Sequence, residues 1–321
     1  MNELRLGTRG SQLALWQANT VAARIAEAGG PACRIVVIKT SGDRLQEAPL
    51  SEVGGKRLFV KEIEDALLRE DIDLAVHSAK DMPAELPERL GIAAVLPRED
   101  SRDALVLPGG PAPMGLAAAV AKIGDSPTIG TSSVRRIAQL GILLPRARFT
   151  PIRGNVDTRL RKLDAGGFDA LVLASAGMKR LGFSGRISTP IPHEDCIPAP
   201  GQGIVAIEIR ADDERTRAAV APVNDSAAAV SLDAERTLVA ALGGGCQLPL
   251  GAISVHLGHD LDLRAIVSSV DGRRSIRRGA RGAASRPVEL ARRLAEDLAK
   301  AGATAILDEV RNAQGPVEGS Y

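Results

Sequence analysis

The sequence has few aromatic residues and few cysteines. Aromatics make up 2% of the 321 residues, so the core must be built from Leu, Ile, Val and Ala. The three cysteines, Cys33, Cys196 and Cys246, are an odd number without CxxC spacing, which argues against a disulfide framework and a zinc site. The four histidines also lack ligand spacing with cysteine or carboxylate, so we expect no bound metal.

Long apolar runs are absent as well. No segment approaches the ~20 uninterrupted apolar residues of a membrane span. Residues 1–10 carry Glu3, Arg5 and Arg9 and have no apolar region of the kind found in signal peptides. We therefore expect a cytoplasmic protein with no membrane partner.

Neither sign of charge is in large excess, because the formal net charge is +2. A nucleic-acid-binding protein would favour a basic excess and exposed aromatics, and both are lacking. Arginine outnumbers lysine, and its guanidinium suits bidentate binding of carboxylates. Most arginines fit a solvated surface equally well, so their positions must decide between the two interpretations.

The length predicts two or three domains. The first ~200 residues alternate between strand and helix patterns, which is typical of α/β layers around a mostly parallel sheet. The predicted strands are 4–6, 34–40, 73–77, 92–96, 128–130, 148–151, 170–174 and 204–210. The predicted helices are 11–28, 58–69, 131–143, 155–165 and 175–181. A helix at 225–242, strands at 253–256, 261–270 and 275–279, and a helix at 287–301 predict a small α+β domain.

Two segments are predicted to cross between domains. Residues 97–103 are charged and contain proline, and residues 191–203 are rich in proline and glycine. We place strand 204–210 back in the sheet of the first domain, which gives two α/β lobes with a cleft between them. The predicted domains are 1–98 plus 198–220, 99–197, and 221–321.

Basic and hydroxyl residues recur where a predicted strand passes into a helix. These residues are Arg9, Ser11, Thr131, Ser132, Ser133, Arg135, Arg136, Arg153, Arg159, Ser175, Lys179 and Arg180. Such junctions line the ligand crevice of open α/β sheets, and helix N-termini attract anions. Arginines in first turns oppose the helix dipole, so four such sites favour an anion-binding cleft over solvent-facing arginines.

Three further segments could carry chemistry. Lys80 and Asp81 follow strand 73–77 and could form a catalytic pair, although a surface turn ended by Pro83 is the stronger interpretation from this segment alone. Residues 54–56 (GGK) lack the spacing of a P-loop and suggest a mobile loop with a lysine. Cys246 follows three glycines, so it could be a reactive thiol or a small buried apolar residue.

Eight stretches together resemble the porphobilinogen deaminase (hydroxymethylbilane synthase) family. They are LGTRGSQLALWQA (6–18), GGKRLFVKEIE (54–64), DLAVHSAKDMP (73–83), IGTSSVRRIAQL (129–140), RGNVDTRLRKLD (153–164), ASAGMKRLG (174–182), PAPGQGIVAIE (198–208) and LGGGCQLPLGA (242–252). They occur in order over most of the chain. The set is specific, although no single motif is.

The resemblance implies two lobes like those of periplasmic binding proteins and a third domain. It also implies a monomeric transferase of tetrapyrrole (haem) biosynthesis, which condenses four porphobilinogen molecules into hydroxymethylbilane and releases ammonia. The implied cofactor is a dipyrromethane bound through a thioether to Cys246, and the implied catalytic residue is Asp81.

The resemblance also implies binding residues. Those implied for the cofactor are Lys80, Asp81, Thr131, Ser133, Arg135, Arg136 and Arg159. Those implied for the substrate are Arg9, Ser11, Gln17, Lys56, Phe59, Ser78, Arg153, Arg159 and Arg180. The sequence departs from the family pattern at Glu52, Arg57 and Asp157. A solute-binding or regulatory protein of the same bilobed form is the main alternative, since fold alone does not separate the two functions.

Overall fold

A computed structural model describes residues 3–41, 60–245 and 248–313. Its strands are β1 (Leu4–Thr8), β2 (Cys33–Val37), β3 (Leu74–Ser78), β4 (Leu90–Val95), β5 (Asp103–Val106), β6 (Thr128–Gly130), β7 (Arg148–Thr150), β8 (Ala170–Ala174), β9 (Thr189–Pro190), β10 (Val205–Arg210), β11 (Leu250–Leu257), β12 (Asp260–Ser268) and β13 (Ser275–Ala283). Its α-helices are α1 (Gln12–Glu27), α2 (Lys61–Leu68), α3 (Leu116–Ile123), α4 (Val134–Leu143), α5 (Val156–Lys162), α6 (Ser175–Arg180), α7 (Glu214–Val220), α8 (Ser226–Ala241), α9 (Pro287–Lys300) and α10 (Ala303–Ala313).

The first lobe is built on a five-stranded sheet of order β2-β1-β3-β10-β4. β1 is parallel to β2 and β3, while β10 is antiparallel to both β3 and β4. α1 covers one face, because its apolar stripe of Ala18, Val21 and Ile25 packs against Leu6 and Leu74. The prediction that strand 204–210 returns to the first sheet is confirmed.

The second lobe repeats this arrangement with the order β7-β6-β8-β5-β9. β6 is parallel to β7 and β8, and β5 is antiparallel to β8 and β9. In each lobe the fourth strand of the sheet is therefore antiparallel to its neighbours, and the chain enters that strand from the other lobe. The expectation of mostly parallel α/β layers holds with this one exception in each sheet.

The two segments that join the lobes lie side by side. Arg98 Nε donates to the Gln202 carbonyl at 2.9 Å, and the Glu99 amide donates to the Gly203 carbonyl at 3.0 Å. Gly203 has a φ of +91°, and an added Cβ would lie 2.3 Å from the Glu99 carbonyl oxygen. Glycine is thus required where the two segments touch.

The C-terminal unit is an antiparallel sheet of order β11-β12-β13 with helices on one face. Its core joins Leu238 of α8, Leu263 of β12, Leu294 of α9 and Leu307 of α10. This unit is the predicted α+β region. Among the described residues, no helix is long and apolar enough to cross a membrane.

Candidate active site

A cavity of about 340 Å³ lies where the strand ends of the two lobes meet. Many side chains of its wall are charged or carry hydroxyls. Those predicted from the sequence are Arg9, Ser11, Ser78, Lys80, Asp81, Ser132, Arg136, Arg153, Arg159 and Arg180. The structure therefore brings together most of the cations that the strand-to-helix junctions indicated.

Sheet topology explains this convergence. Arg9 and Ser11 follow β1, and Lys80 follows β3, while Arg153 and Arg180 lie after β7 and β8. Parallel strands place their carboxyl ends at one edge of a sheet, and in each lobe this edge borders the cleft. Basic residues far apart in the sequence are thus gathered at one cavity.

Asp81 and Lys80 lie in a short 3₁₀ turn, Ala79–Asp81, directly after β3. Buried Ala79 anchors the turn, while the Asp81 side chain is exposed. Burial lowers the pKa of Lys80, and the charges of Arg136 and Arg135 lower it further, although Asp81 opposes the shift. The turn therefore presents an acid to the cavity beside a lysine that is crowded by other cations.

Arg159 shows the same crowding more strongly. Burial lowers its pKa to about 10, and the nearby charges of Arg136 and Arg153 contribute to the shift. Its Nε donates to the Gly154 carbonyl at 2.8 Å, which fixes the side chain at the start of α5. The guanidinium remains charged at neutral pH, and an anion entering the cavity would relieve the repulsion between these cations.

Asp103 at the start of β5 is the buried counter-charge of the site. It is fully buried, with Arg135 Nη2 2.8 Å from its Oδ2 and Arg136 Nη2 2.7 Å from its Oδ1. Gln202 Nε2 donates to Oδ1 at 3.0 Å. Burial alone would raise the pKa of Asp103, but Arg135 and Arg136 hold it well below its usual range. One carboxylate thus orients two arginines.

The predicted hydroxyl and amide residues are held by hydrogen bonds within the protein. Gln17 Nε2 donates to Ser78 Oγ at 2.8 Å, which ties α1 to the end of β3. Ser133 is the N-cap of α4 and accepts from the Arg136 amide, while its own amide donates to Thr131 Oγ1 at 3.3 Å. The prediction that Thr131 opens this helix is wrong by three residues, since α4 begins at Val134 and Thr131 is buried before it.

A second cavity of about 80 Å³ adjoins the same turn. Its wall includes Lys80, which also lines the first cavity, together with Ser133, Arg135 and Arg236. The remaining wall is largely apolar and includes Met82, Val239, Gly245, Leu248 and Leu250. Two residues of this wall, Gly245 and Leu248, are the described residues on either side of positions 246 and 247 in the sequence.

Family models match two stretches of the chain. Residues 4–218 match "Porphobilinogen deaminase, dipyromethane cofactor binding domain", and residues 229–300 match "Porphobilinogen deaminase, C-terminal domain". The chain belongs to the porphobilinogen deaminase family. The resemblance stated from the sequence motifs is therefore confirmed.

Curated porphobilinogen deaminases are similar over nearly their whole length. The porphobilinogen deaminase of Geotalea daltonii is 45% identical over 97% of this chain and 95% of its own. That of Moorella thermoacetica is 43% identical over 99% of this chain and 100% of its own. Among solved structures, the periplasmic VFT2 domain of BvgS from Bordetella pertussis aligns with 69% of this chain and 86% of its own, with 16% identity and a TM-score of 0.40.

Some residues predicted through the porphobilinogen deaminase resemblance are not on the wall of the first cavity. Gln17 and Thr131 are buried and line neither cavity, and Ser133 and Arg135 line the second cavity. Lys56, Phe59 and Cys246 lie outside the described residues, as do Glu52 and Arg57. The remaining departure, Asp157, pairs with Arg161 at 3.5 Å in the first turns of α5.

Sequence reasoning missed Asp103 and Gln202. Both were assigned to the segments between the domains, where a charged or amide side chain is expected to face solvent. No local sequence pattern pointed to Asp103, because it meets Arg135 and Arg136 of α4 only when β5 pairs with β8 in the second sheet. Among the described residues, no cluster of histidine, cysteine or carboxylate side chains could hold a metal ion.

Proposed function

We propose that this protein condenses four porphobilinogen molecules head to tail into hydroxymethylbilane. Four C–N bonds to the aminomethyl groups break, three C–C bonds join the rings, four ammonia molecules leave and one water supplies the terminal hydroxyl. Family membership supports this reaction. The observation that carries the proposal is a cationic cavity that shares Lys80 with a second cavity, whose wall includes Gly245 and Leu248.

The chemistry of the substrate matches the charge of the first cavity. Each porphobilinogen carries an acetate and a propionate, so a growing chain gathers negative charge at every step. Arg9, Arg153, Arg159 and Arg180 supply guanidinium groups suited to carboxylates. We assign Ser11, Ser78 and Gln17 to hydrogen bonding around the same substrate, and we also assign Lys56 and Phe59 to contacts with it.

Asp81 is the proposed catalytic residue. Loss of ammonia from porphobilinogen leaves a cationic, azafulvene-like pyrrole, and a nearby carboxylate stabilises that charge. Asp81 lies at the cavity wall and is exposed there, so it can reach a ligand without a backbone rearrangement. It can also accept the proton released when the new C–C bond forms.

The lining of the second cavity supports a role in holding a dipyrromethane. Apolar walls suit pyrrole rings, while Lys80, Arg135 and Arg236 can face carboxylates. We propose that Cys246 holds this cofactor by a thioether and that the cofactor extends from the second cavity into the first. Lys80, Ser133 and Arg135 would position it in the second cavity, and Asp81, Thr131, Arg136 and Arg159 would position it toward the first. The group supplies the free pyrrole α-carbon to which the first substrate unit is joined.

The proposal extends to domain organisation and location. The domains are 1–98 plus 198–220, 99–197 and 221–321, with residues 97–103 and 191–203 acting as hinges between the lobes. The protein acts as a cytoplasmic monomer, without a nucleic-acid or membrane partner. Sedimentation of the purified protein tests the oligomeric state.

Asp81→Asn tests the catalytic assignment. The amide keeps the size of the side chain and removes its charge, so turnover should fall by at least about 100-fold, within the range of a lost charge-stabilising group. Porphobilinogen consumption and hydroxymethylbilane formation should be followed together. Asp157→Asn is the matched control and should retain activity. A near-normal rate for Asp81→Asn would exclude the assigned role.

Intact mass tests the cofactor assignment and the main alternative. The purified protein should exceed its sequence mass by one dipyrromethane, located on the peptide that contains Cys246. A solute-binding protein of this fold needs no covalent group on that cysteine. An active protein with an unmodified Cys246 would contradict the attachment, and a modified protein that releases no ammonia from porphobilinogen would contradict the reaction.

A further inference from the structure

The single tryptophan of the chain lies where the two lobes approach each other. Trp16 is on α1 in the first lobe, and the Cζ of Arg180, on α6 in the second lobe, lies 5.6 Å from the centroid of its ring. One turn earlier on each helix, a Cβ added at Gly177 would lie 3.6 Å from Leu13 Cδ2. Leu13 of α1 therefore faces Gly177 of α6, and Trp16 of α1 faces Arg180 of α6.

In the part of the chain that the structure describes, Arg180 has a backbone partner and no salt bridge to an acid. Its Nη2 donates to the Gly203 carbonyl at 2.6 Å, which connects it to the segment between the lobes. Burial lowers the pKa of Arg180, and Glu99 offsets the effect only in part. Glu99 is itself paired with Lys179 at 3.1 Å. The guanidinium thus keeps a net positive charge for the cavity.

The geometry points to Trp16 as a positioning residue for Arg180, which fixes this guanidinium at the junction of the lobes for a pyrrole carboxylate. Among the described residues, Arg180 belongs to the cavity wall and Trp16 does not. A ring face attracts the guanidinium without removing its charge, and it leaves the N–H edges free for a carboxylate. A carboxylate in place of Trp16 would neutralise the same group.

This inference rests on the proposed function, because it assigns Arg180 to the substrate of that reaction. It adds a residue outside the cavity wall and a prediction about binding rather than turnover. The contact also crosses the lobes, so it forms only when α1 and α6 are close. Trp16 therefore favours the arrangement in which Arg180 faces the cavity.

Steady-state kinetics of Trp16→Leu and Trp16→Phe test the assignment. Loss of the aromatic face should raise the KM for porphobilinogen roughly 2- to 30-fold, while kcat stays within about 2-fold. Trp16→Phe keeps an aromatic face and should recover part of the affinity. Ile142→Ala is a control at another exposed apolar side chain, on α4, and should match the unsubstituted protein. Equal KM values for Trp16→Leu and the unsubstituted protein would overturn the inference.

Fluorescence quenching tests the contact without turnover. Because Trp16 is the only tryptophan, its emission reports this position alone. Arg180→Leu should weaken quenching by iodide, since the cation that attracts the anion is lost, and should strengthen quenching by neutral acrylamide, since the ring is uncovered. Unchanged quenching by both agents would overturn the contact. If the quenching results are as expected but the unsubstituted protein does not convert porphobilinogen, the contact stands and the proposed function is contradicted.

Discussion

At the scale of single residues, the excess of positive over negative charge around Asp103 prepares the cleft to bind an anion. One buried carboxylate, Asp103, faces Arg135 and Arg136, and the charges of all three residues shift the pKa of Lys80. Asp103 carries one negative charge and its two arginine partners carry two positive charges, so the three together keep a net positive charge. Carboxylates of a bound ligand would complete the balance, so the same residues that stabilise the fold prepare the site for an anion.

Asp103→Asn should destabilise the protein substantially. The substitution leaves two buried guanidinium groups without their counter-charge, and breaking such a pair costs about 3–5 kcal/mol. The free energy of unfolding, measured by denaturant titration, checks the loss. Asp125→Asn is the control, because Asp125 and its partner Arg146 are exposed, and it should change stability by less than about 1 kcal/mol. Equal effects of the two substitutions would contradict the role of Asp103.

Lys80 should determine part of the alkaline limb of the pH profile. Its pKa is lowered, so its charge is lost below the ordinary range for lysine as pH rises. Binding of a polycarboxylate then weakens, and kcat/KM should fall on the alkaline side. In Lys80→Arg the position stays charged, so this part of the fall should move to higher pH, leaving any contribution of Arg159 near pH 10. An alkaline limb that stays in place would show that Lys80 does not contribute.

The site was predictable from the sequence where residue type and junction position coincide. Arg9, Arg153 and Arg180 were found in this way, because each lies just after a strand whose end faces the cleft. Asp103 could not be found, since its burial depends on β5 entering the second sheet from the other lobe. The apolar pattern of the predicted helix 11–28 favours burial of Trp16, but its 37% exposure and its contact with Arg180 place it at the edge of the buried face of α1.

At the scale of elements, predictions held best where the apolar pattern was continuous. β8 and α8 have the predicted bounds to within a residue, and Asp225, the first residue of the predicted helix, is the N-cap of α8. The sequence patterns predicted no helix at α3, α7 or α10. α3 is a short, nearly all-apolar segment without a clear polar face, and α10 follows α9 after a single turn through Gly302. These helices therefore depend on tertiary contacts that the local sequence pattern does not indicate.

Gly203→Ala should disturb the junction between the lobes. The alanine would occupy a φ of +91° and place its Cβ against the Glu99 carbonyl, so steric overlap adds to the backbone strain of about 1–3 kcal/mol. Both stability and activity should fall. Gly258→Ala is the matched control, since Gly258 also has a positive φ, +65°, but its added Cβ meets no atom within 4 Å. Thermal unfolding of the two variants separates overlap from strain, and equal losses would exclude the overlap.

At the scale of the whole molecule, Glu235 joins all three units. This fully buried carboxylate of α8 accepts from Arg98 Nη1 at 2.6 Å and from the Gly201 amide at 2.7 Å, both in segments between the lobes. It also accepts from the Ser254 amide at 2.8 Å in β11. The C-terminal unit is thereby attached to both segments at a single side chain.

Glu235→Gln should loosen this attachment. Loss of the charge leaves Arg98 without its buried partner, at a cost of about 3–5 kcal/mol, and the C-terminal unit should unfold before the lobes. Calorimetry should then show two transitions where the unsubstituted protein shows one. Glu309→Gln removes the partner of Arg274 in an exposed pair and should leave the profile unchanged. A single transition of unaltered midpoint in Glu235→Gln would contradict this account.

The position of β10 in the middle of the first sheet has a consequence for synthesis. β3 and β4 do not pair directly, because β10 lies between them. The ribosome therefore synthesises the whole second lobe before β10, the strand that completes the sheet of the first lobe. The two ends of the second lobe lie together, since the Ile191 amide donates to the Asp103 carbonyl at 2.7 Å. The second lobe therefore has all its strands on the nascent chain while the sheet of the first lobe still lacks β10.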